Sequence, residues 1–330
     1  MSWKSWPVIV VIAAAAAVPG CKTKGKPQQR GGNSPQGKTI REAAVPGVFY
    51  PEKRDALAAM IDGFLTDAKV EAVENVRGLV CPHAGYPFSG PTAAYSYKQL
   101  MGRDVQTVVV MAPSHYALFR GASIPDVVAY RTPLGRVDLS PKAKDLAKVR
   151  PFASNPPCQV RRPSWWSVSP KKAPPDGEDT PHTWEHSLEV QLPFLQRTLK
   201  NFTIIPIVFP PERLVDVEQV AAVLMRHIDD ETLLVASSDL SHDDTYDVAR
   251  RKDAACTKAI CDLDIEAMEK QAACGKGPIL ALMHIAKKKG WKTKLLDYRN
   301  SGDTAGDKSR VVGYAAIAFF EPRASGRENE

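Results

Sequence analysis

The chain has 330 residues, 44% of them apolar and 25% charged, which is an ordinary globular composition and excludes a disordered or collagen-like protein. Its net charge of +7 comes almost entirely from residues 1–40, which hold six Lys or Arg and no acid, so the rest carries 7 − 6 = +1. A folded part that is nearly neutral excludes a broad basic face, and we therefore expect no nucleic-acid partner.

The N-terminus predicts export. An apolar run from Trp6 to Val18 follows a lysine, is too short to span a bilayer and has the length of the apolar part of a signal peptide. It ends in Val18-Pro-Gly-Cys21, which resembles a bacterial lipobox, so residues 1–20 are predicted to be a signal peptide and Cys21 the lipidated residue. Residues 21–40 have the composition of a flexible basic linker. We therefore expect a lipid-anchored protein of the cell envelope, at the outer membrane or the periplasmic face.

The cysteine count leaves one thiol over. Without Cys21 the chain has five cysteines, an odd number, and no CxxC pair. At least one thiol is therefore expected to stay outside intrachain disulfides. In an exported protein such a thiol is a candidate for metal binding or for reactivity.

Helical and strand patterns alternate through the remaining chain, residues 41–330. Helices are predicted at 55–69, 91–100, 183–199, 214–228, in the Ala-rich stretch after Asp244 and at 278–288. Strands are predicted at 78–82, 107–112, 202–209, 233–236, 292–299 and 311–320. This alternation predicts an α/β fold. The Pro-rich segment 155–181, which contains Trp165 and Trp166, is predicted to be a partly ordered surface insertion whose tryptophans either cover a site or pack within the insertion.

Three of the seven histidines directly follow predicted strands. His83 ends the first of these strands, His115 follows the second, and Asp239 and His242 follow the run Leu233–Ala236. A single strand-end histidine is usually structural, but the carboxyl ends of parallel strands meet at one edge of a sheet, where ligands bind. The three histidines are therefore expected to converge in one crevice.

His83, His115 and Cys274 form a candidate metal site. Imidazole nitrogens suit iron, copper or zinc, and a thiolate favours soft or borderline metals. Cys274 precedes Gly275-Lys-Gly-Pro278, where a helix N-terminus and Lys276 would both stabilise a thiolate. The alternative is a buried structural cysteine.

Asp239 and His242 are candidates for an acid/base pair beside the metal. The alternative for Asp239 is that it caps the helix that follows.

A competing hypothesis comes from His182-Thr-Trp-Glu-His186. This stretch matches the H-x-x-E-H pattern of inverted zinc peptidases, in which two histidines share a helix face and Glu185 serves as the base. Pro181 places His182 in the first turn of the predicted helix. We therefore rank a zinc hydrolase built on His182, Glu185 and His186 second.

Several motifs, in this order along the chain, together resemble the Memo family, whose bacterial members are also called AmmeMemoRadiSam system protein B. They are Val45-Pro-Gly-Val-Phe-Tyr-Pro51, Pro82-His-Ala-Gly-Tyr86, Ser89-Gly90, Ala112-Pro-Ser-His115, Glu185-His-Ser-Leu-Glu189 with Leu192-Pro193, Ser237-Ser-Asp-Leu-Ser-His242 and Cys274-Gly-Lys-Gly-Pro278. The likeness runs from about Ala44 to the end. The joint pattern is specific, although each piece alone is short.

The resemblance implies a single three-layer αβα domain with a mixed, mainly parallel sheet, like that of the LigB-type class III extradiol dioxygenases. It implies iron or copper, and less so zinc, at His83, His115 and Cys274. It also implies that Asp239 and His242 line the same pocket, and a substrate-binding role is expected for Phe49, Tyr86 and His186.

The reaction that the resemblance favours is metal-dependent oxidation of an unknown small substrate. Cys274 stands where the dioxygenases have a carboxylate, which argues against ordinary ring cleavage. The non-enzymatic alternative is a protein that binds a peptide or a small molecule. A functional link to a radical SAM protein and an AMMECR-type protein is a further expectation.

Overall fold

Strands and helices alternate through residues 39–323, the part of the chain that this computed structural model describes. The strands are Ile40–Arg41 (β1), Val76–Cys81 (β2), Thr107–Pro113 (β3), Ala117–Leu118 (β4), Ala122–Ile124 (β5), Ala129–Thr132 (β6), Gly135–Asp138 (β7), Phe152–Ser154 (β8), Gln159–Val160 (β9), Thr203–Phe209 (β10), Thr232–Ser237 (β11), His242–Asp244 (β12), Lys292–Asn300 (β13) and Val311–Phe320 (β14). The α-helices are Arg54–Asp67 (α1), Tyr86–Lys98 (α2), Pro141–Leu146 (α3), His186–Glu189 (α4), Gln191–Thr198 (α5), Val217–Met225 (α6), Tyr246–Cys261 (α7), Ile265–Glu269 (α8), Lys276–Lys289 (α9) and Ser301–Thr304 (α10). The predicted α/β fold is confirmed.

A mixed nine-stranded sheet forms the middle layer, in the order β12-β14-β2-β11-β3-β10-β5-β8 with β13 also paired to β14. The four central strands β2, β11, β3 and β10 are parallel, and β14 and β5 flank them antiparallel. Alternate residues of β3 enter opposite cores: Val108 and Val110 pack with α1, α2 and α5, whereas Val109 and Met111 pack with α6, α7 and α9. The predicted αβα layering is therefore confirmed.

Two predicted helix starts are wrong for local reasons. Helix α2 begins at Tyr86 rather than at Pro91, because Pro87 occupies its second position and Pro91 lies inside it. The predicted helix 183–199 is two short helices, and the first begins only at His186, because the Glu185 side chain accepts the Ser187 N–H as an N-cap.

The N-terminal boundary lies slightly before the predicted one. Ile40 pairs with Ala129, and the carbonyl of Thr39 accepts the N–H of Val128, so the folded part includes the last two residues of the predicted linker. The predicted signal peptide 1–20, Cys21 and the rest of the linker lie outside the described residues. Among residues 39–323, no helix is both long enough and apolar enough to cross a membrane.

Candidate metal centre

The sheet order brings the strand-end residues together. Strands β2, β11 and β3 are adjacent and parallel, so His83, the Asp239–His242 loop and His115 emerge at the same edge. Cys274 precedes α9, which packs against β11 and β3. The convergence expected from the sequence is present in the structure.

Three overlapping groups of potential ligands lie at this edge, each with its donor atoms within 4.8 Å of one another. They are His83, His115 and Cys274; His115, Glu185 and His186; and Asp239, His242 and Cys274. In the first group, Cys274 Sγ lies 3.1 Å from His83 Nε2, and the rings of His83 and His115 are 5.2 Å apart. The predicted metal set is therefore one of the groups whose donor atoms lie close enough together to hold a metal ion.

Asp239 ties three parts of this edge together. Its Oδ1 accepts the backbone N–H of His83 at 2.7 Å. Its own N–H points at Cys274 Sγ, 3.2 Å away, and its carbonyl accepts the N–H of Cys274 at 3.2 Å. Asp239 does not cap a helix, because the next helix starts only at Tyr246.

Burial dominates the protonation of the central groups. It lowers the pKa of His83 well below the usual histidine value, with His115 adding to the effect. Burial also raises the pKa of Asp239 against the opposing effect of His242.

The expected stabilisation of a Cys274 thiolate is wrong for the metal-free protein. Burial raises the pKa of this thiol, and the opposing hydrogen bond from His115 is weaker. Lys276 turns away, because its Nζ donates to the carbonyls of Glu269 and Gln271.

Two buried carboxylates lie at the site, and the ring of His115 pairs with one of them, Glu185. Asp239 and Glu185 are 3% and 2% exposed, and within residues 39–323 neither forms an ion pair with a Lys or Arg. The nearby buried Glu189, by contrast, is paired with Arg41. Buried carboxylates need a partner charge. Glu185 has such a partner in His115, whereas Asp239 lies beside the two imidazoles and the thiol, and together these groups are a donor set that fits a transition-metal cation.

An aromatic wall borders the site on the Glu185 side. The ring of His186 lies 4.4 Å from that of Phe49 and 4.5 Å from that of His115, and the Tyr116 hydroxyl is 3.2 Å from His186 Nδ1. Trp165, from the Pro-rich segment, packs edge-on against both Phe49 and Tyr116.

The two adjacent tryptophans of that segment differ. Trp165 is 2% exposed and joins the wall, whereas Trp166 is 40% exposed. Nothing in the composition of the segment distinguished them, and Tyr116 was also missed because it lies in an irregular turn after β3.

Tyr86 lies in the core rather than along this wall. Its hydroxyl donates to the Val190 carbonyl at 2.6 Å, and its ring packs between Tyr50 and Phe194. The substrate-binding roles of Phe49, Tyr86 and His186 stay predictions, as do the catalytic roles of Asp239 and His242.

His182 takes no part in the site. Its Nδ1 lies 2.8 Å from the Tyr130 hydroxyl and its Nε2 lies 3.1 Å from the Ser123 carbonyl, so both ring nitrogens are engaged. Because helix α4 begins at His186, the two histidines do not share a helix face. The geometry that an H-x-x-E-H zinc site needs is therefore missing at this position.

Comparison with known proteins identifies the family. The profile described as Memo-like protein matches residues 41–318. This chain belongs to the Memo family. A MEMO1 family protein of Thermoplasma volcanium is 35% identical over 285 residues, which cover 84% of this chain and 97% of the relative. Relatives from Nitrosopumilus maritimus and Aeropyrum pernix are 33% and 36% identical, over 85% and 84% of this chain and 100% and 99% of their own length.

These Memo relatives overturn the predicted location. They are archaeal proteins whose names refer to the family alone and give no sign of an envelope lipoprotein. The predictions of a lipoprotein, of membrane anchoring through Cys21 and of a cell-envelope location are therefore wrong. They depended on a short apolar run and on Val18-Pro-Gly-Cys21, in which Val18 and Pro19 both depart from the usual lipobox.

Proposed function

We propose that this Memo family protein binds one iron or copper ion through His83, His115 and Cys274 and uses it in oxidation chemistry on a small molecule. The observation that carries the proposal is the convergence of these three donors beside the buried carboxylate of Asp239, which has no Lys or Arg partner among residues 39–323. Two imidazoles and one thiolate favour Fe(II) or Cu(I) over hard cations such as Mg(II). An ion held by these three residues would supply one-electron redox chemistry.

Side chains on two sides of the proposed metal position have different roles. His242 is exposed, its Nδ1 donates to the Leu240 carbonyl at 2.9 Å, and it lies beside Asp239 and Cys274, so we assign it the role of carrying protons to and from this position. On the opposite side, His186 and Tyr116 offer polar atoms that orient a ligand, and Phe49 and Trp165 exclude water. We do not propose extradiol ring cleavage, because a thiol replaces the carboxylate of the two-His-one-carboxylate triad.

Metal analysis of protein purified without oxygen tests the proposal. We expect about one iron or copper per chain in the wild type and loss of the ion in His83→Ala and in His115→Ala. His182→Gln and His227→Gln are the matched controls, because both residues lie outside the ligand groups, and these variants should keep the ion. If His83→Ala kept the ion, or if His182→Gln lost it, the metal site would lie elsewhere and the proposal would be contradicted.

Oxygen uptake separates the oxidation hypothesis from simple binding. The metal-loaded wild type is screened against small phenols, thiols and amines, and uptake that disappears in Cys274→Ser supports oxidation chemistry. Full metal occupancy without uptake favours the alternative, a protein that binds a peptide or small molecule. Zinc as the only ion in freshly purified protein would contradict the redox proposal.

A further inference from the structure

A chain of buried polar side chains leads from the core to the ring of His83. The Tyr97 hydroxyl donates to Gln191 Oε1 at 2.6 Å, and Gln191 Nε2 donates to Ser237 Oγ at 2.7 Å. Ser237 Oγ in turn lies 2.9 Å from His83 Nδ1. All four residues are at most 2% exposed, so protein groups rather than bulk water decide the direction of each hydrogen bond.

The orientation of the Gln191 amide is set by a carbonyl. Gln191 Nε2 lies 3.0 Å from the carbonyl oxygen of Pro82, which can only accept a hydrogen bond. The NH₂ end of the amide must therefore face this side, where Ser237 also lies. Ser237 Oγ is thus an acceptor towards Gln191.

The Ser237 hydroxyl donates its hydrogen to the Ser187 carbonyl and not to His83. Its Oγ lies 2.7 Å from the carbonyl oxygen of Ser187, and two oxygens at that distance need a hydrogen between them. The Ser237 hydroxyl has one hydrogen and donates it there. Its contact with the His83 ring is therefore a hydrogen bond only if Nδ1 of His83 carries the proton.

The state of the second nitrogen of His83 follows from this assignment. A neutral imidazole carries a single N–H, so a proton on Nδ1 leaves Nε2 bare. With that proton on Nδ1, the lone pair of Nε2 faces Cys274 Sγ, 3.1 Å away. Nε2 is the nitrogen that the metal position requires.

We infer that Ser237, oriented by Gln191, is a positioning residue that holds His83 in the Nδ1–H tautomer and so keeps Nε2 free as a metal ligand. The inference rests on the proposed metal function for its purpose, but the tautomer itself is a property of the metal-free protein. Neither Ser237 nor Gln191 belongs to the three ligand groups. Fixing a ligand histidine through its other ring nitrogen is a general device of metal sites.

A second buried histidine, His182, is expected to have the opposite tautomer and so provides a reference for His83 within the same protein. His182 is also buried, but its Nε2 faces the Ser123 carbonyl, which can only accept, and its Nδ1 faces the Tyr130 hydroxyl. His182 should therefore carry its proton on Nε2. The two histidines must differ in one spectrum if the hydrogen-bond assignment is correct.

Nuclear magnetic resonance of the metal-free protein, labelled with ¹⁵N in its histidines, tests the tautomer. Spectra of His83→Gln and His182→Gln assign the two rings by the loss of their signals. We expect a protonated Nδ1 and a bare Nε2 in His83, and the reverse in His182. A protonated Nε2 in His83 would overturn the inference, even if the protein binds metal as proposed.

Substitution of Ser237 tests the consequence for metal binding. Ser237→Ala removes the acceptor, so we expect a mixture of tautomers and an affinity for Fe(II) or Cu(I) lower by roughly 10- to 100-fold, whereas Ser237→Thr should stay close to the wild type. Ser96→Ala is the matched control, because Ser96 is an equally buried serine that donates to the Val80 carbonyl at 2.9 Å. If Ser237→Ala does not fold, Gln191→Met serves instead.

The outcomes of the two proposals are distinguishable. An unchanged tautomer and unchanged metal affinity in Ser237→Ala would refute the positioning role while leaving the metal site intact. A wild type that binds no iron or copper would refute the proposed function, whatever the tautomer of His83.

Discussion

Glu185 holds His115 at two points. One carboxylate oxygen accepts the backbone N–H of His115 at 2.7 Å, and the other lies 2.9 Å from its ring Nδ1. Burial alone would lower the pKa of His115, but Glu185 and Cys274 together outweigh it and raise that pKa to about 10. The Nε2 of His115 is left to face the centre of the site, so Glu185 sets the direction of a predicted metal ligand without reaching that centre itself.

Loss of the Glu185 charge should weaken metal binding. Glu185→Gln is nearly isosteric, but its NH₂ group would oppose donors on His115 and Ser187, so we expect an affinity lower by roughly 10- to 100-fold. Competition with a chelator of known affinity measures the change. The control is Glu212→Gln, which alters a half-exposed partner of Lys276. Equal losses in both variants would contradict a specific role for Glu185.

The thiol of Cys274 should decide which ion is preferred. Cys274→Ser replaces a soft donor by a hard one, so the affinity for Cu(I) should fall by at least tenfold, whereas Cys158→Ser should have no effect. Cys274→Asp should rebuild a two-His-one-carboxylate set that keeps Fe(II) and loses Cu(I). Anaerobic titration of each variant with both ions measures these preferences. Identical affinities in wild type and Cys274→Ser would make Cys274 a structural cysteine only.

His182 should make the protein sensitive to acid. Burial lowers its pKa to about 3, whereas in the unfolded chain it is about 6.5. A depressed histidine pKa contributes stability that is complete above pH 6.5 and is lost as the pH falls from there towards 3. Between pH 7.5 and pH 5 this group should account for about 2 kcal/mol of lost unfolding free energy. Denaturant unfolding of the metal-free protein at both pH values measures it.

His182→Gln provides the comparison for this acid sensitivity. The variant should be less stable than the wild type at pH 7.5, because Gln fits the Tyr130 and Ser123 contacts less well. Its stability should fall less steeply between pH 7.5 and pH 5, since it lacks the titrating ring. If the unfolding free energies of the two proteins changed equally with pH, His182 would not be a source of the acid sensitivity.

Gly275 should tolerate no side chain. A Cβ at this position would lie 2.2 Å from the backbone oxygen of Ser237, so Gly275→Ala must displace the start of α9 and with it the neighbouring Cys274. We expect a lower melting temperature and weakened metal binding. Gly63→Ala in α1 is the control, because a Cβ there meets no atom within 4 Å, and it should be neutral or stabilising by up to about 1 kcal/mol. Equal changes in melting temperature and metal binding in the two variants would contradict a specific steric requirement at Gly275.

The sequence predicted the sheet and the meeting of its strand ends, because both follow from patterns local to each strand. The strands before His83, His115 and Asp239 are short apolar runs, and helical patterns between them favour crossover connections, which join parallel strands. Their ends must then share an edge. Cys274 was placed beside them by the chemistry of its side chain and by the family resemblance, because its spacing in the sequence does not indicate it.

What the sequence did not predict depends on groups that are far apart along the chain. The carboxylate of Glu185 was assigned to a hydrolase motif, because nothing near it indicates that it binds a histidine 70 residues earlier. The Cys274 thiolate was expected from a helix terminus and from Lys276, which are its neighbours in sequence, whereas burial dominates its pKa. Ser237 directs His83 only through Gln191 and Ser187, which lie on helices of another layer.

His83 and Cys274 are 191 positions apart, yet their side-chain atoms meet at 3.1 Å. During synthesis His83 and His115 leave the ribosome long before Cys274, so a nascent chain offers at most two of the three predicted ligands. An ion held by all three would close a loop through more than half of the protein, and it would bind the folded chain in preference to the unfolded one. If the proposed ion is bound, the complete set of ligands exists only once the chain has been synthesised through Cys274, and the ion would then stabilise the folded chain.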